Sequence, residues 1–198
     1  MKKLDLFVTG VGGQGNILAS DLIGETALAA GYDVKKTDTL GMAQRNGSVI
    51  SHVRIGTRVY SPLIKRGEVE ILLAFEKLEA ARWSDYLCPG AVAIVNNHAL
   101  PPLAVNLGVE RYPEDEEVRG ILRQRTERVY FVDGMARVTD LGNPRTLNIF
   151  MLGCLSHFAP FETDAWKDSI CRRLPERLHQ VNTRAFDLGR EEIQNVHV

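Results

Sequence analysis

A chain of 198 residues, 44% hydrophobic and 25% charged, has the make-up of a globular protein with a buried core. Its formal net charge of −1 gives no general electrostatic case for nucleic acid as a partner, and no apolar run approaches the roughly 20 residues of a membrane helix. Cys88, Cys154 and Cys171 are widely spaced and form no CxxC pair, which fits buried thiols in a reducing cytoplasm and speaks against an iron–sulfur cluster held by the usual cysteine runs.

The start, with Lys2 and Lys3 followed by Asp5 and an apolar run, does not have the pattern of a signal peptide. Leu4 to Thr9 reads as a buried strand. Gly10-Val11-Gly12-Gly13-Gln14-Gly15 follows, and then Leu18, Leu22, Ile23, Ala27 and Ala30 recur at helical spacing across Asn16 to Ala30. A second strand is expected over Asp33 to Thr39. After the polar segment Gly41 to Ser48, Val49 to Ile55 alternates like a strand with one buried face. Gly56-Thr57 has the form of a two-residue hairpin into Arg58 to Ser61, and Pro62 ends that run. Glu70 to Ala74 and Ala91 to Val95 read as short buried strands, with a helix over Leu78 to Leu87 between them. Pro101 to Pro113 is a loop-rich crossing, Glu114 to Arg128 a charged, solvated helix, and Val129 to Val132 a last strand closed by Asp133-Gly134. From Arg145 onward three helices are expected: Thr146 to Phe158, Asp164 to Leu174 and Pro175 to Glu192. With no repeat, low-complexity stretch or long linker, 1–198 reads as a single domain. Its fold class is α/β: a three-layer, mainly parallel Rossmann-like sheet with one antiparallel hairpin and a helical C-terminal part.

The glycine turn is the most informative segment. Strand, glycine turn and helix in that order let a ligand approach the backbone without meeting a Cβ. The helix start then offers unpaired N–H groups and a partial positive charge, which suit an anion such as phosphate. Many α/β proteins carry such a turn and bind nothing there, so both readings stay open. Gly12-Gly13 makes the bend tighter than a dinucleotide loop requires. Gln14 can offer its amide to a ligand or a facing subunit, or merely cap the helix. In the second polar loop, Arg45 can converge with backbone N–H groups on one anion, bridge two subunits, or face solvent. Asn46-Gly47 tolerates positive φ and is equally a plain turn.

Asp38 falls near the end of the second strand, where a dinucleotide fold places its ribose-binding acid. It is the one feature favouring an alternative, a nicotinamide- or flavin-binding oxidoreductase of Rossmann type. His52, mid-strand, reads as structural. Asp133 can face a crevice or serve as an ordinary turn residue. Trp83, Trp166 and Phe186 sit in helical patterns and read as packing. There is no GxxxxGK(S/T), HExxH or GxSxG, and His98, His157, His179 and His197 lack metal-ligand spacing with the cysteines. The residues describe a binding fold without self-sufficient catalytic machinery.

Four segments in register carry a resemblance. Gly10 to Gly15 resembles the opening motif of the gamma subunit, or gamma domain, of 2-oxoacid:ferredoxin oxidoreductases. Gly41 to Arg54 is similar to that family's second motif, and its Met42-Ala43-Gln44-Arg45 start and Ser51-His52-Val53-Arg54 end look most like the beta subunit of indolepyruvate oxidoreductase. Asn148 to Gly153 and Val181 to Gly189 resemble the family's later helices. The likeness runs from about residue 4 to about residue 190. One departure is Asn46, where the family usually has a glycine.

The resemblance implies a reaction divided between chains. A large partner would hold thiamine diphosphate and [4Fe-4S] clusters, decarboxylate a 2-oxo acid such as indolepyruvate or another aryl-pyruvate, reduce ferredoxin and pass the acyl group to coenzyme A. This chain would hold no cofactor alone, carry no catalytic residue and be inactive by itself. It would line a ligand or subunit crevice with Gly10, Gly12, Gly13, Gln14, Gly15, Arg45, Asn46, Gly47 and Ser48. Ferredoxin would be met through the complex, a homodimer is allowed, neither nucleic acid nor membrane is a partner, and the compartment would be the cytoplasm.

Overall fold

The computed structural model describes residues 3–40 and 47–196. Six strands, β1 (Lys3–Val11), β2 (Asp33–Leu40), β3 (Ser48–Gly56), β4 (Val69–Ala74), β5 (Leu87–Asn96) and β6 (Arg128–Val132), form one sheet in the order β2-β3-β1-β4-β5-β6. The pairs β1–β4, β4–β5 and β5–β6 are parallel. Strand β3 runs antiparallel to both β1 and β2 and is the one reversed strand of the sheet.

The period of two divides the core. Leu4, Leu6 and Val8 of β1 join Val53, Ile55, Ile71, Leu73 and Ile94 in one apolar cluster, while Phe7 joins Leu72, Ala74, Ala93 and Val95 in another. Both faces of the central strands are therefore covered, as expected where helices flank a largely parallel sheet. Helix α1 (Asn16–Ala29), α6 (Leu147–Ser156), α7 (Thr163–Arg173) and α8 (His179–Asn195) cover the first face. On the second lie α2 (Lys77–Arg82) and α4 (Asp115–Arg123), the latter burying Val118 and Leu122. The expected three-layer α/β architecture is the one observed, as are the first-turn helix and the helical C-terminal part.

The antiparallel pair is not where the turn chemistry places it. Residues 57–68 form no strand, and β3 pairs with β2 instead of with Arg58 to Ser61. Strand β3 bonds a neighbour on each side, so it offers no free ladder to a third strand. The segment after it is held by side chains: Asp33 accepts from the Val59 amide at 2.7 Å, and Arg54 donates to the Leu63 carbonyl at 2.9 Å. Strand β3 is buried on both faces rather than one, because α1 packs on the side of Val53 and Ile55 and the segment after β3 lies over His52. Helix α5 (Gly134–Asp140) starts where Asp133-Gly134 reads as a closing turn, and a short α3 (Leu103–Asn106) interrupts the loop-rich crossing.

All ten residues of α6 are buried. Its contact with α8 is made by glycines: a Cβ on Gly153 would stand 2.1 Å from the Phe186 carbonyl oxygen, and one on Gly189 would stand 2.0 Å from that of Phe150. The Cys154 thiol donates to the Gly189 carbonyl at 3.2 Å across the same contact, and burial raises its pKa. His52 is structural as expected. Its Nδ1 accepts from the Ile64 amide at 3.1 Å, and its ring meets Phe7 edge-on with centroids 4.4 Å apart. Burial, and then the Arg54 charge, lower its pKa from 6.5.

Two outcomes follow from this packing. Gly153→Ala should cost about 2–3 kcal/mol, because backbone rather than a flexible side chain blocks the new methyl; a loss under ~0.5 kcal/mol by denaturant unfolding would contradict the contact. His52 is held neutral, so its stabilisation is complete above its unfolded pKa and is lost as pH falls below about 6.5. In His52→Asn an amide oxygen can take the Ile64 bond without titrating. The variant's melting temperature should therefore fall less than wild type's between about pH 7 and pH 5; parallel curves would count against a buried neutral imidazole.

Candidate functional site

After β1 the chain leaves through α1 toward β2, on one side of the sheet order. After β4 it leaves through α2 toward β5, on the other. The connections thus diverge between β1 and β4, and α/β sheets bind ligands in the crevice beyond the carboxyl ends of strands at such a point. The glycine turn forms one lip. Phe75 and Glu76, following β4, form the other.

The turn is held by amides. Gln14 Oε1 accepts from the Val11 amide at 2.7 Å, and Gln14 Nε2 donates to the Phe75 carbonyl at 3.0 Å. The second lip is thereby tied to the first. Asn96, at the end of β5, donates to the same Phe75 carbonyl at 3.1 Å, and Asn16 Nδ2 reaches back to the Val11 carbonyl at 3.2 Å. Gln14 is thus neither a simple helix cap nor free: both halves of its amide are occupied.

The glycines have distinct tasks. Gly10 is the penultimate residue of β1, and a Cβ there would lie 2.6 Å from Gln14 Oε1 and 2.8 Å from the Phe75 Cβ. Its bareness lets the Gln14 amide fold back onto the strand. Gly15, at φ +83°, has Asn148 Nδ2 2.7 Å from the Cβ position, so α6 abuts the turn. Gly13, at φ +103°, is exposed, with nothing within 4 Å of its Cβ position. It is the open point of the turn. Gly15 is the N-cap of α1 in a left-handed conformation, no side chain caps that helix, and its first turn carries no acidic residue. Its positive end thus has no counter-charge within its own first turn.

The second loop reaches this turn at its end. Gly12 N donates to the Gly47 carbonyl at 2.9 Å. Ser48 Oγ donates to Glu79 Oε2, which also accepts from Trp83 Nε1 at 3.3 Å. Arg45 and Asn46 lie outside the described residues. Glu79 in turn gives its backbone N–H to Glu76 Oε2 at 2.9 Å, capping α2, while Glu76 Oε1 accepts from the Leu100 amide at 3.1 Å and from the Tyr112 hydroxyl. Burial and the Glu76 carboxylate together push the Tyr112 hydroxyl far above its ordinary range. Glu76 and Glu79, both buried, are the carboxylates that sequence reasoning missed. Asn16 and Asn96, which end or begin apolar runs, carried a signal: an amide at such a place is buried and must find partners. The Oδ1 atoms of both have none among the described residues.

Asp38 is not brought to the crevice. Strand β3 lies between β2 and β1, and the Asp38 carboxylate accepts from Ser51 Oγ at 2.5 Å and Lys36 Nζ at 2.9 Å. The feature that favoured a nicotinamide site is a cross-strand brace. Asp133 accepts from Asn97 Nδ2 at 2.9 Å and starts α5. Among the described residues, no three His, Cys, Asp or Glu side chains are grouped to hold a metal ion, and no helix is long and apolar enough to cross a membrane. The arrangement of backbone donors and a positive helix end can bind and orient an anion.

Comparison with known proteins fits this geometry. The model of the family described as pyruvate ferredoxin/flavodoxin oxidoreductase matches residues 5–192. The chain is 36% identical over 192 residues to indolepyruvate oxidoreductase subunit IorB of Pyrococcus horikoshii, covering 96% of this chain and 95% of that one. It is 34% identical over 189 residues to the subunit of that name from Archaeoglobus fulgidus, covering 94% of each. The fold is similar to that of the gamma subunit of a keto/oxoacid ferredoxin oxidoreductase from Geobacter sulfurreducens PCA, with TM-score 0.71, 22% identity and coverage of 96% of this chain and 98% of that one. It is also similar to part of a 2-oxoglutarate:ferredoxin oxidoreductase from Magnetococcus marinus, with TM-score 0.77, 20% identity and coverage of 100% of this chain but 32% of that one. The chain belongs to the pyruvate ferredoxin/flavodoxin oxidoreductase family.

Proposed function

We propose that this chain is the non-cofactor subunit of an indolepyruvate, or other aryl-pyruvate, ferredoxin oxidoreductase. It supports oxidative decarboxylation of the 2-oxo acid to an acyl-CoA while ferredoxin is reduced. The observation that carries this reading is the 36% identity, over nearly the whole of both chains, to a subunit named for indolepyruvate. A large companion in the cytoplasm would hold thiamine diphosphate and the [4Fe-4S] clusters, and ferredoxin would be met through the complex. The donor set here does not suit a cluster: Cys88 is in β5, Cys154 in α6 and Cys171 in α7. Acting as one domain over 1–198, the chain would close a wall of the assembly.

Coenzyme A is the ligand whose chemistry suits the crevice. The Magnetococcus enzyme was solved with coenzyme A and succinyl-CoA bound. Here the phosphates would meet the exposed Gly13, the backbone of Gly12 to Gly15 and the uncapped start of α1. Gln14 would hold the turn in shape, and Arg45, Asn46, Gly47 and Ser48 of the second loop would add further contacts. The chain's work in this reading is to bind, orient and exclude water. The chemistry of bond cleavage belongs to the companion.

The purified chain should show no 2-oxo acid oxidation. Co-expressed with a thiamine-binding companion, it should yield aryl-pyruvate-dependent ferredoxin reduction; turnover by the lone chain would overturn the division of labour. Gly13→Asp and Gly13→Asn impose the same backbone strain and differ in charge. In the assembled enzyme the Asp variant should raise KM for coenzyme A about tenfold over the Asn variant, with kcat little changed, as expected for a carboxylate set against a phosphate. Equal KM values would remove phosphate from the turn.

A further inference from the structure

A second cleft, of about 600 Å³, lies between the turn that starts α6 and the turn that starts α8. Its size is that of a small-molecule site. Arg145 projects from one rim and Arg177 from the other, both exposed. Neither is paired with a carboxylate among the described residues, whereas Arg54, Arg137 and Arg173 are. None of the described residues lining the cleft is acidic.

The interior points the same way. Asn148 and Asn182 line the cleft and are each only 6% exposed, yet each amide is half used. Asn148 Oδ1 accepts from the Ile149 amide at 2.9 Å, leaving Nδ2 without a hydrogen-bond partner among the described residues. Asn182 Nδ2 donates to the Leu178 carbonyl at 2.8 Å, leaving Oδ1 without one. A donor and an acceptor on two largely buried side chains are thus left without a protein partner in the wall of one cavity, where an occupant can reach them. Leu18, Leu174 and Leu178 supply an apolar surface beside them. Helices α6 and α8 run on here from short 3-10 turns, Pro144–Thr146 and Glu176–Leu178, the first capped by the Asn143 side chain, so the positive charge of the cleft comes from the two guanidinium groups.

We propose that this cleft binds a small organic anion, a carboxylate or phosphate monoester carried on an apolar, ring-sized body. The head lies between Arg145 and Arg177, the body on the three leucines, and the Asn148 and Asn182 amides engage its polar edge. The site goes beyond the crevice at Gly13 and does not depend on that crevice's ligand. It shares a wall with the glycine turn, since Asn148 Nδ2 packs 2.7 Å from the Cβ position of Gly15, so an occupant that engages Asn148 bears on the turn.

The test uses the full chain without a companion and reads binding alone, so it stands whether or not the assembled enzyme behaves as proposed. Isothermal titration and a melting shift are measured with indole-3-acetate, with phenyl phosphate and, as a neutral control, with benzyl alcohol. At least one anionic probe should bind and the alcohol should not; which anion binds identifies the head group. Arg145→Ala/Arg177→Ala should weaken binding about tenfold or more, and Arg145→Lys/Arg177→Lys should retain most of it. The proposal is overturned if neither anion binds at millimolar concentration, if the neutral probe binds as well, or if the double alanine variant binds like wild type. The comparison of charged and neutral probes on wild type decides the matter even if a variant does not fold.

Discussion

The candidate site depends on one side chain, the amide of Gln14. It takes the Val11 N–H at the end of β1 and gives a hydrogen bond to the Phe75 carbonyl at the end of β4. These two strands are parallel neighbours, and the backbone bonding between them ends with the Phe75 N–H on the Thr9 carbonyl at 2.8 Å. The amide continues it, spanning the gap that two diverging connections would otherwise leave open. Gly10 is bare so that this amide has room. The direction of the turn and the exposure of Gly13 before the uncapped start of α1 follow from that bridge.

Around the bridge, buried polar groups are shared rather than separate. Phe75 O accepts two amides, and Glu76 serves the helix cap of α2, the Leu100 amide and Tyr112 at once. Glu79 then reaches Ser48, so the second loop is fastened to the same helix that Glu76 caps. Such networks are stiff because losing one partner leaves another charge or dipole buried and unmet. The walls of the crevice are therefore held by the protein's own hydrogen bonds. Behind it, the glycine contact between α6 and α8 sets where Asn148 stands, and Asn148 bounds both the turn at Gly15 and the cleft of Arg145 and Arg177.

Much of this architecture was legible from local pattern. Leu4 to Thr9, the helix after Gly15 and the three C-terminal helices were readable because period and apolar content agree there. The hairpin at Gly56-Thr57 misled because a turn-forming dipeptide states a local preference, while β3 had both its edges taken by β1 and β2. Asp38 misled similarly: its position along the chain matched a ribose-binding acid, but the inserted β3 moved its strand to the edge of the sheet. Glu76 and Glu79 were illegible because a charged residue in a short helix ordinarily faces water.

Periodicity, glycine spacing and the order of strands and helices suffice for the α/β class and for the glycine turn before α1, because each rests on residues close in the chain, and four such local motifs in order suffice for the family resemblance. The bond from Gln14 to Phe75, the neighbours of β1, the burial of Glu79 and the meeting of residues 143–148 with residues 174–182 come from folding alone. Each joins groups tens of residues apart, and whether a polar atom is satisfied depends on which distant backbone or side chain the packed sheet and helices bring to it.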